Sequence, residues 1–149
     1  MQTASDDQAI RSLIDQFIEG WNAADGSLCA RPFTSNSDFT AINGIRARGR
    51  DLIARGHSEI LSTIYRGTQL NGVVNSIDYL RPDVASVDAT FHLTPAQTWF
   101  PKYTSCGIIA TKDAGVWSIA VFRNMVPFGR PTGGPLDRQL VEESAPKAN

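Results

Sequence analysis

The spacing of the hydrophobic residues changes once along this 149-residue chain, near Gly67. Before that point apolar residues recur at helical spacing in two segments, and after it they alternate with polar residues. Helices followed by a run of strands predict an α+β domain in which a curved antiparallel sheet wraps around N-terminal helices. The chain is long enough to form one such domain with a substantial core.

The first helical segment carries an apolar and aromatic face, formed by Ile10, Leu13, Ile14, Phe17 and Trp21. Asp25-Gly26 is a stop and turn signal, so the helix is expected to end there. We predict a short second helix over 27–33 that Pro32 ends early.

A short strand is predicted from Phe39 to Asn43, with Asn43-Gly44 as its turn. The arginines that follow, Arg46, Arg48, Arg50 and Arg55, are interpreted as a solvated surface on a turn that leads into a helix.

That second long helix is expected from about Arg50 to Tyr65, with an apolar face of Ile53, His57, Ile60, Leu61 and Ile64. Gly56 lies inside it, where glycine costs about 1 kcal/mol relative to alanine. We expect the close approach of another backbone to compensate for that cost.

Four strands are predicted in the second half, over Val73–Leu80, Val84–Leu93, Tyr103–Lys112 and Val116–Met125. The second of them has an apolar face and a polar face, the polar one formed by Ser86, Asp88, Thr90 and His92. Antiparallel sheets commonly present a polar outer face, so we expect these four residues to meet solvent or a second subunit. The alternative is a concave polar face, on which Asp88 would have a raised pKa and could shuttle a proton.

Composition excludes several partners and cofactors. Fourteen basic and fifteen acidic residues give a net charge of −1, which provides no electrostatic case for binding nucleic acid. No apolar run approaches the roughly 20 residues that span a bilayer, and the first residues lack a secretory signal.

Cys29 and Cys106 fit no metal or redox spacing, so we expect reduced thiols in a cytoplasmic protein. His57 and His92 lie on different elements, so no metal site is expected, and without a Gly-x-Gly-x-x-Gly motif we expect no cofactor.

Several segments occur in an order that resembles a known superfamily: 21–25, 38–39, 44–49, 53–57 with His57, 80–85 and 116–124. The chain resembles the NTF2-like superfamily, and within it the SnoaL-like group that includes the SgcJ/EcaC and DUF4440 proteins. The resemblance implies a cone-shaped α+β barrel over residues 1–126. Residues 127–149 form a Pro/Gly-rich tail that we expect to be loosely ordered or draped over a neighbouring subunit.

Two positions depart from the pattern of that superfamily. Arg123 stands before Asn124 where a neutral polar residue is expected, and 29–32 replaces a more regular short helix. The superfamily includes isomerases, cyclases, dehydratases, ligand carriers and oligomerisation modules, so the fold alone does not specify an activity.

His57 is the best candidate for chemistry, since a neutral imidazole in an apolar cavity can act as a general base. The alternative is a core histidine satisfied by a backbone carbonyl or a strand side chain. Arg123 needs an anion if it points inward, and otherwise reaches solvent. The residues expected to line a ligand pocket are Phe17, Trp21, Phe39, Asn43, His57, Leu61, Phe122 and Arg123.

The favoured function is a dimeric protein that binds an apolar or polycyclic small molecule. Its expected activity is cofactor-independent isomerisation, cyclisation or dehydration, with His57 as acid/base and Arg123 or Asn43 as polar anchor. The alternative is a non-catalytic dimerisation or ligand-carrier module, with Ser86, Asp88, Thr90 and His92 at a symmetric interface.

Overall fold

The computed structural model of the protein describes residues 4–95 and 103–127. Residues 96–102, between two of the predicted strands, and all of the expected tail except Pro127 lie outside the described residues.

The described residues form three helices and six strands. The helices are α1 (Ala4–Asn22), α2 (Gly26–Ala30) and α3 (Arg50–Ser62). The strands are β1 (Phe33–Thr40), β2 (Arg46–Arg48), β3 (Gln69–Arg81), β4 (Val84–Thr94), β5 (Thr104–Asp113) and β6 (Val116–Met125). They form one curved, open sheet in the order β2-β1-β6-β5-β4-β3, in which only β1 and β6 run parallel among the described strands. The predicted α+β architecture is confirmed.

The strands with alternating sequences have the boundaries that the pattern predicts, within a few residues. β6 coincides with its predicted range, and β4 differs from it by one residue. β3 begins four residues before Val73, at Gln69. The predicted range of α3 was three residues too long, because the helix ends at Ser62 and Tyr65 lies in the following turn.

The first hairpin was predicted wrongly in two respects. β1 begins at Phe33 and ends at Thr40, whereas the sequence analysis placed a strand from Phe39 to Asn43. Arg46–Arg48, expected in a turn, forms β2 and pairs antiparallel with β1. The turn itself is where Gly44 predicts it, with a positive φ of 80°. The polar sequence of β1 did not predict a paired strand. Its pairing in the hairpin satisfies the backbone donors and acceptors of the segment.

The two faces of β4 show which side of the sheet is concave. Its buried side chains are Ala85, Val87, Ala89, Phe91 and Leu93, whereas Asp88 and His92 are exposed. The polar face is therefore the outer face. The alternative that placed Asp88 inside the cone is wrong.

Two carboxylates near the start of α1 accept hydrogen bonds from side chains of the sheet. Asp6 accepts hydrogen bonds from Lys112 Nζ and Trp117 Nε1, each at 2.8 Å. Asp7 accepts one from the Tyr79 hydroxyl at 2.6 Å. These hydrogen bonds fix the position of α1 against β3, β5 and β6.

Two helical glycines have opposite surroundings. A Cβ atom on Gly20 would overlap the backbone of Leu28 and Cys29, so α1 and α2 pack with their backbones in contact at this point. A Cβ atom on Gly56 would meet nothing within 4 Å. The expected backbone contact at Gly56 is therefore wrong, and the position borders open space.

The two glycines provide a matched test of these packing arguments. Gly20→Ala should destabilise the protein by about 2 kcal/mol or more, because the added methyl group has to displace backbone. Gly56→Ala should stabilise it by up to about 1 kcal/mol, because alanine favours the helix and meets no neighbour. Urea unfolding followed by circular dichroism measures both. A loss of stability in Gly56→Ala would contradict the open surroundings of that residue.

Candidate functional site

A cavity of about 370 Å³ lies between α1, α3, the β1–β2 turn and the concave face of the sheet. This volume is in the range of small-molecule sites, about 300–1,000 Å³. Its deeper wall consists of aromatic and aliphatic side chains: Phe17, Trp21, Phe39, Ile53, Leu70, Phe91 and Leu93. Such a wall fits an apolar ligand.

His57 projects from α3 into this apolar wall, and its side chain is 4% exposed. The ring lies edge-on to Phe39 and Phe17, with centroid distances of 5.2 and 5.4 Å. Trp21 lies edge-on at 6.2 Å. Aromatic edges and faces therefore hold the imidazole in one orientation.

One nitrogen of His57 is hydrogen-bonded and the other is not. Nδ1 lies 2.8 Å from the carbonyl oxygen of Ile53, one helical turn earlier. A carbonyl only accepts, so Nδ1 carries the hydrogen in the neutral ring and Nε2 carries the lone pair. Nε2 makes no hydrogen bond to any residue of 4–95 or 103–127.

The protonation state of His57 follows from its surroundings. Burial lowers its pKa below the ordinary value of 6.5, and the smaller effect of the Ile53 carbonyl acts in the opposite direction. The ring is therefore neutral at neutral pH, with a basic nitrogen inside the apolar site.

Asn124 is a second polar residue of the cavity wall, and the sequence analysis did not select it. Its side-chain Oδ1 is buried and has no hydrogen-bond partner. Buried amide oxygens usually have a partner, so this amide has hydrogen-bonding capacity that the described protein leaves unused. Thr104, buried on β5, also lines the cavity.

A β-bulge at Ala120 decides which residues of β6 face inward. Ile119 pairs with Ala110 and Val121 pairs with Ile109, so Ala120 is an extra residue in the ladder. Phe122 is consequently buried in the core, and Arg123 points to the outer face. A sequence pattern that alternates without interruption would have reversed these two orientations.

Arg123 forms an ion-pair cluster on the outer face. Its Nη2 lies 2.8 Å from Asp38 Oδ2, and its Nη1 donates to the Asp38 carbonyl oxygen at 3.0 Å. Arg46 also donates to Asp38, and Arg48 lies 3.6 Å from it. Hydrogen bonds from Arg46 and Arg123 lower the pKa of Asp38 from 3.8 to about 2. Arg123 has the anionic partner that the sequence analysis required of an inward arginine, but the pair lies outside the cavity.

Five of the eight predicted lining residues lie in the cavity wall: Phe17, Trp21, Phe39, Asn43 and His57. Three do not, namely Leu61, Phe122 and Arg123. Leu61 and Phe122 are core residues, and Phe122 stacks on Phe39 with a centroid distance of 4.9 Å. The four polar residues of β4, from Ser86 to His92, lie on the opposite side of the sheet from the cavity.

The mouth of the cavity is formed by residues that were not predicted to line it. One side is a stripe of α3 formed by Leu52, Gly56 and Glu59, and the other is formed by Ile42 and Ile45 of the β1–β2 turn. The three residues of this stripe have the helical spacing i, i+4, i+7. The stripe lies beside the buried face of α3, which is formed by Ile53, His57 and Leu61. That spacing could have identified it.

Within the described residues, no three His, Cys, Asp or Glu side chains are placed to share a metal ion. No helix in that part of the chain is long and apolar enough to cross a membrane.

No protein-family model and no curated protein matches the chain. Solved structures do match it. A domain of unknown function with a cystatin-like fold from Nostoc punctiforme has a TM-score of 0.79 and 26% identity, covering 95% of this chain and 86% of that one. An NTF-2 like protein from Shewanella oneidensis has a TM-score of 0.68 and 16% identity, over 80% and 98% of the two chains. A scytalone dehydratase-like protein from Novosphingobium aromaticivorans has a TM-score of 0.68 and 17% identity, over 87% and 95%. The chain therefore has the cystatin-like, NTF2-like fold.

The buried imidazole should make stability depend on pH. Because the pKa of His57 is lower in the folded state than in the unfolded state, its full contribution is present above about pH 6.5. The free energy of unfolding should then fall as the pH drops towards the lowered pKa, since the unfolded chain binds the proton more readily. His57→Asn should remove this part of the decline, as measured by urea unfolding at a series of pH values.

His92→Asn is the matched control, because His92 is exposed on the outer face. The free energy of unfolding of His92→Asn should fall with pH as it does in the unmodified protein. A pH profile that His57→Asn leaves unchanged would show that the imidazole is not desolvated as described.

Proposed function

We propose that this protein binds an apolar or polycyclic small molecule and catalyses proton transfer within it without a cofactor, as an isomerase, dehydratase or cyclase. The observation that supports this most directly is the neutral imidazole of His57, which lines an apolar cavity and has an unpaired Nε2. A base in such a site is desolvated and held in place before the substrate arrives.

In the proposed reaction Nε2 of His57 removes a proton from a carbon next to a ketone. The electron pair of the broken C–H bond forms the C=C bond of an enolate, the π pair of the carbonyl moves to the ketone oxygen, and His57 becomes an imidazolium. If the ketone carries a double bond conjugated with the enolate, the imidazolium protonates the far carbon of that system as the C=O bond re-forms, which is an isomerisation. If the neighbouring carbon carries a hydroxyl group, the imidazolium protonates that group as the C=O bond re-forms and the C–O bond breaks, which is a dehydration. In the latter case water leaves, and the change is redox-neutral.

Asn124 takes the anchoring role that the sequence analysis gave to Arg123 or Asn43. Arg123 is held by Asp38 on the outer face, and Asn43 uses its Oδ1 to accept from the Ile45 amide at 3.1 Å. Asn124 has an unpaired amide oxygen, which is an acceptor, in the cavity wall, so we assign it to a hydroxyl or another hydrogen-bond donor of the ligand.

The comparisons support this proposal only through the fold. The scytalone dehydratase-like neighbour shows that a related architecture occurs in a protein with a dehydratase name. Membership of the SnoaL-like group with the SgcJ/EcaC and DUF4440 proteins belongs to the same proposal. The assignment of a reaction to this chain depends on His57 and its cavity.

The test uses a panel of polycyclic ketones in deuterated water, with exchange of the protons next to the carbonyl followed by NMR. The protein should accelerate exchange in at least one ketone, and His57→Asn should reduce that acceleration by about 10²–10⁴-fold. Binding of the neutral apolar dye N-phenyl-naphthylamine should survive in the variant, because the cavity wall remains. His92→Asn should exchange as fast as the unmodified protein.

Two results would contradict the proposal in different ways. Undiminished exchange in a folded His57→Asn protein would exclude His57 as the base. Failure of the unmodified protein to bind the dye would exclude the cavity as a ligand site.

We also propose that the protein is a homodimer, associated through the outer face of the sheet. Arg46, Arg48 and Arg123 surround one carboxylate at the β2–β1–β6 end of this face, which leaves an excess of positive charge. Asp88 lies towards the opposite end, on β4, where Asn75 Nδ2 donates to it at 3.1 Å. A two-fold axis would bring the unlike ends of two copies together.

Charge reversal tests this assembly. Asp88→Arg should shift the protein from dimer to monomer in native mass spectrometry, because it places like charges against each other. Asp15→Arg, on the exposed side of α1, changes the net charge equally and should leave the dimer intact. An unmodified protein that is monomeric, or an Asp88→Arg dimer as stable as the original, would contradict the proposed interface.

A further inference from the structure

The mouth of the cavity has an apolar collar that faces solvent. Ile45 on the β1–β2 turn is 66% exposed, and Leu52 and Ile64 on the α3 side are 42% and 59% exposed. All three also line the cavity. The site therefore continues outward from His57 to a rim where a ligand would still contact protein.

Glu59 is the charged group of this rim. Among the described residues that line the cavity it is the only one with a formal charge at neutral pH, since His57 is neutral there. Its carboxylate makes no ion pair or hydrogen bond with residues 4–95 or 103–127, and Arg55, one helical turn earlier, is not paired with it either. The wall thus offers an unpaired negative charge and no positive one.

Gly56 leaves space next to this carboxylate. It lies on the same stripe of α3, one turn before Glu59 and Ile60, and a Cβ atom there would meet nothing within 4 Å. Glycine is unfavourable inside a helix, and no packing contact of the described protein accounts for it here. A ligand group lying across the helix at Gly56 would lie one helical turn from Glu59, on the same stripe of α3.

We propose that Glu59 determines which ligands the cavity accepts, favouring an apolar molecule whose outer end carries a positive charge or a hydrogen-bond donor and rejecting one with an anionic end. This rests on the proposed function, because it specifies the ligand class of the same cavity. Attraction between opposite charges at the rim is stronger than in bulk water, since the apolar collar lowers the local dielectric. An anionic end would face a like charge with no cation in the wall to compensate.

The test compares three naphthalene compounds of nearly equal size that compete with N-phenyl-naphthylamine for the cavity at neutral pH. Naphthylmethylamine is cationic, naphthylmethanol is neutral and naphthoic acid is anionic. The amine should bind about tenfold more tightly than the acid, with the alcohol between them. Glu59→Gln should lower the affinity for the amine by about five- to tenfold and raise that for the acid, while the alcohol changes by less than about twofold.

Glu19→Gln is the matched control, because Glu19 is exposed on α1, outside the cavity wall, and the substitution changes the net charge equally. It should reproduce the unmodified order of affinities. Glu59→Gln could leave the ratio of the affinities for the amine and the acid unchanged while the alcohol still binds. That result would overturn the role of Glu59 and leave the cavity proposal standing. Failure of the dye and of all three compounds to bind would overturn both.

Discussion

The bulge at Ala120 determines the character of the site, because it reverses the orientation of every residue that follows it on β6. With the bulge, Phe122 completes the aromatic core and Asn124 reaches the cavity, while Arg123 pairs with Asp38 outside. Without it, a guanidinium would be buried among phenylalanine rings with no carboxylate to pair with. The cost of burying such an unpaired ion is several kcal/mol. The ion pair on the outer face and the apolar cavity on the inner face are thus two consequences of one extra residue.

The second constraint is the hydrogen bond from His57 Nδ1 to the Ile53 carbonyl. The sequence left two interpretations of His57 open, a satisfied core histidine or a base in a cavity. The structure shows that they do not exclude each other. A backbone carbonyl satisfies one nitrogen and so makes burial of the ring tolerable, and the same bond fixes the tautomer that leaves the other nitrogen basic.

The sequence was most informative where one physical pattern governed a whole segment. β4 alternates without interruption from Ala85 to Leu93, so its boundaries followed from the periodicity, whereas the choice of its outer face needed the structure. β1 was placed wrongly because 34–38 is polar throughout and becomes a strand through pairing with β2 and β6, which no local pattern encodes. The bulge has the same origin, since it depends on the ladder with β5. Asn124 could not be recognised as a site residue until that register was known.

Gly56 lies beside open space at the mouth of the cavity, where a packing contact was expected. A glycine inside a helix called for an explanation, and the explanation from packing fails because nothing lies within 4 Å of the position. The exposed Ile45 and Ile64, which line the same cavity, also need an explanation, since contiguous apolar surface is exposed mainly where something binds. A ligand that enters past Gly56 and covers the collar accounts for both features, because it would fill the space beside the helix and remove the rim from water. In the proposed function the rim is the outer part of the ligand site, because its residues line the same cavity as His57.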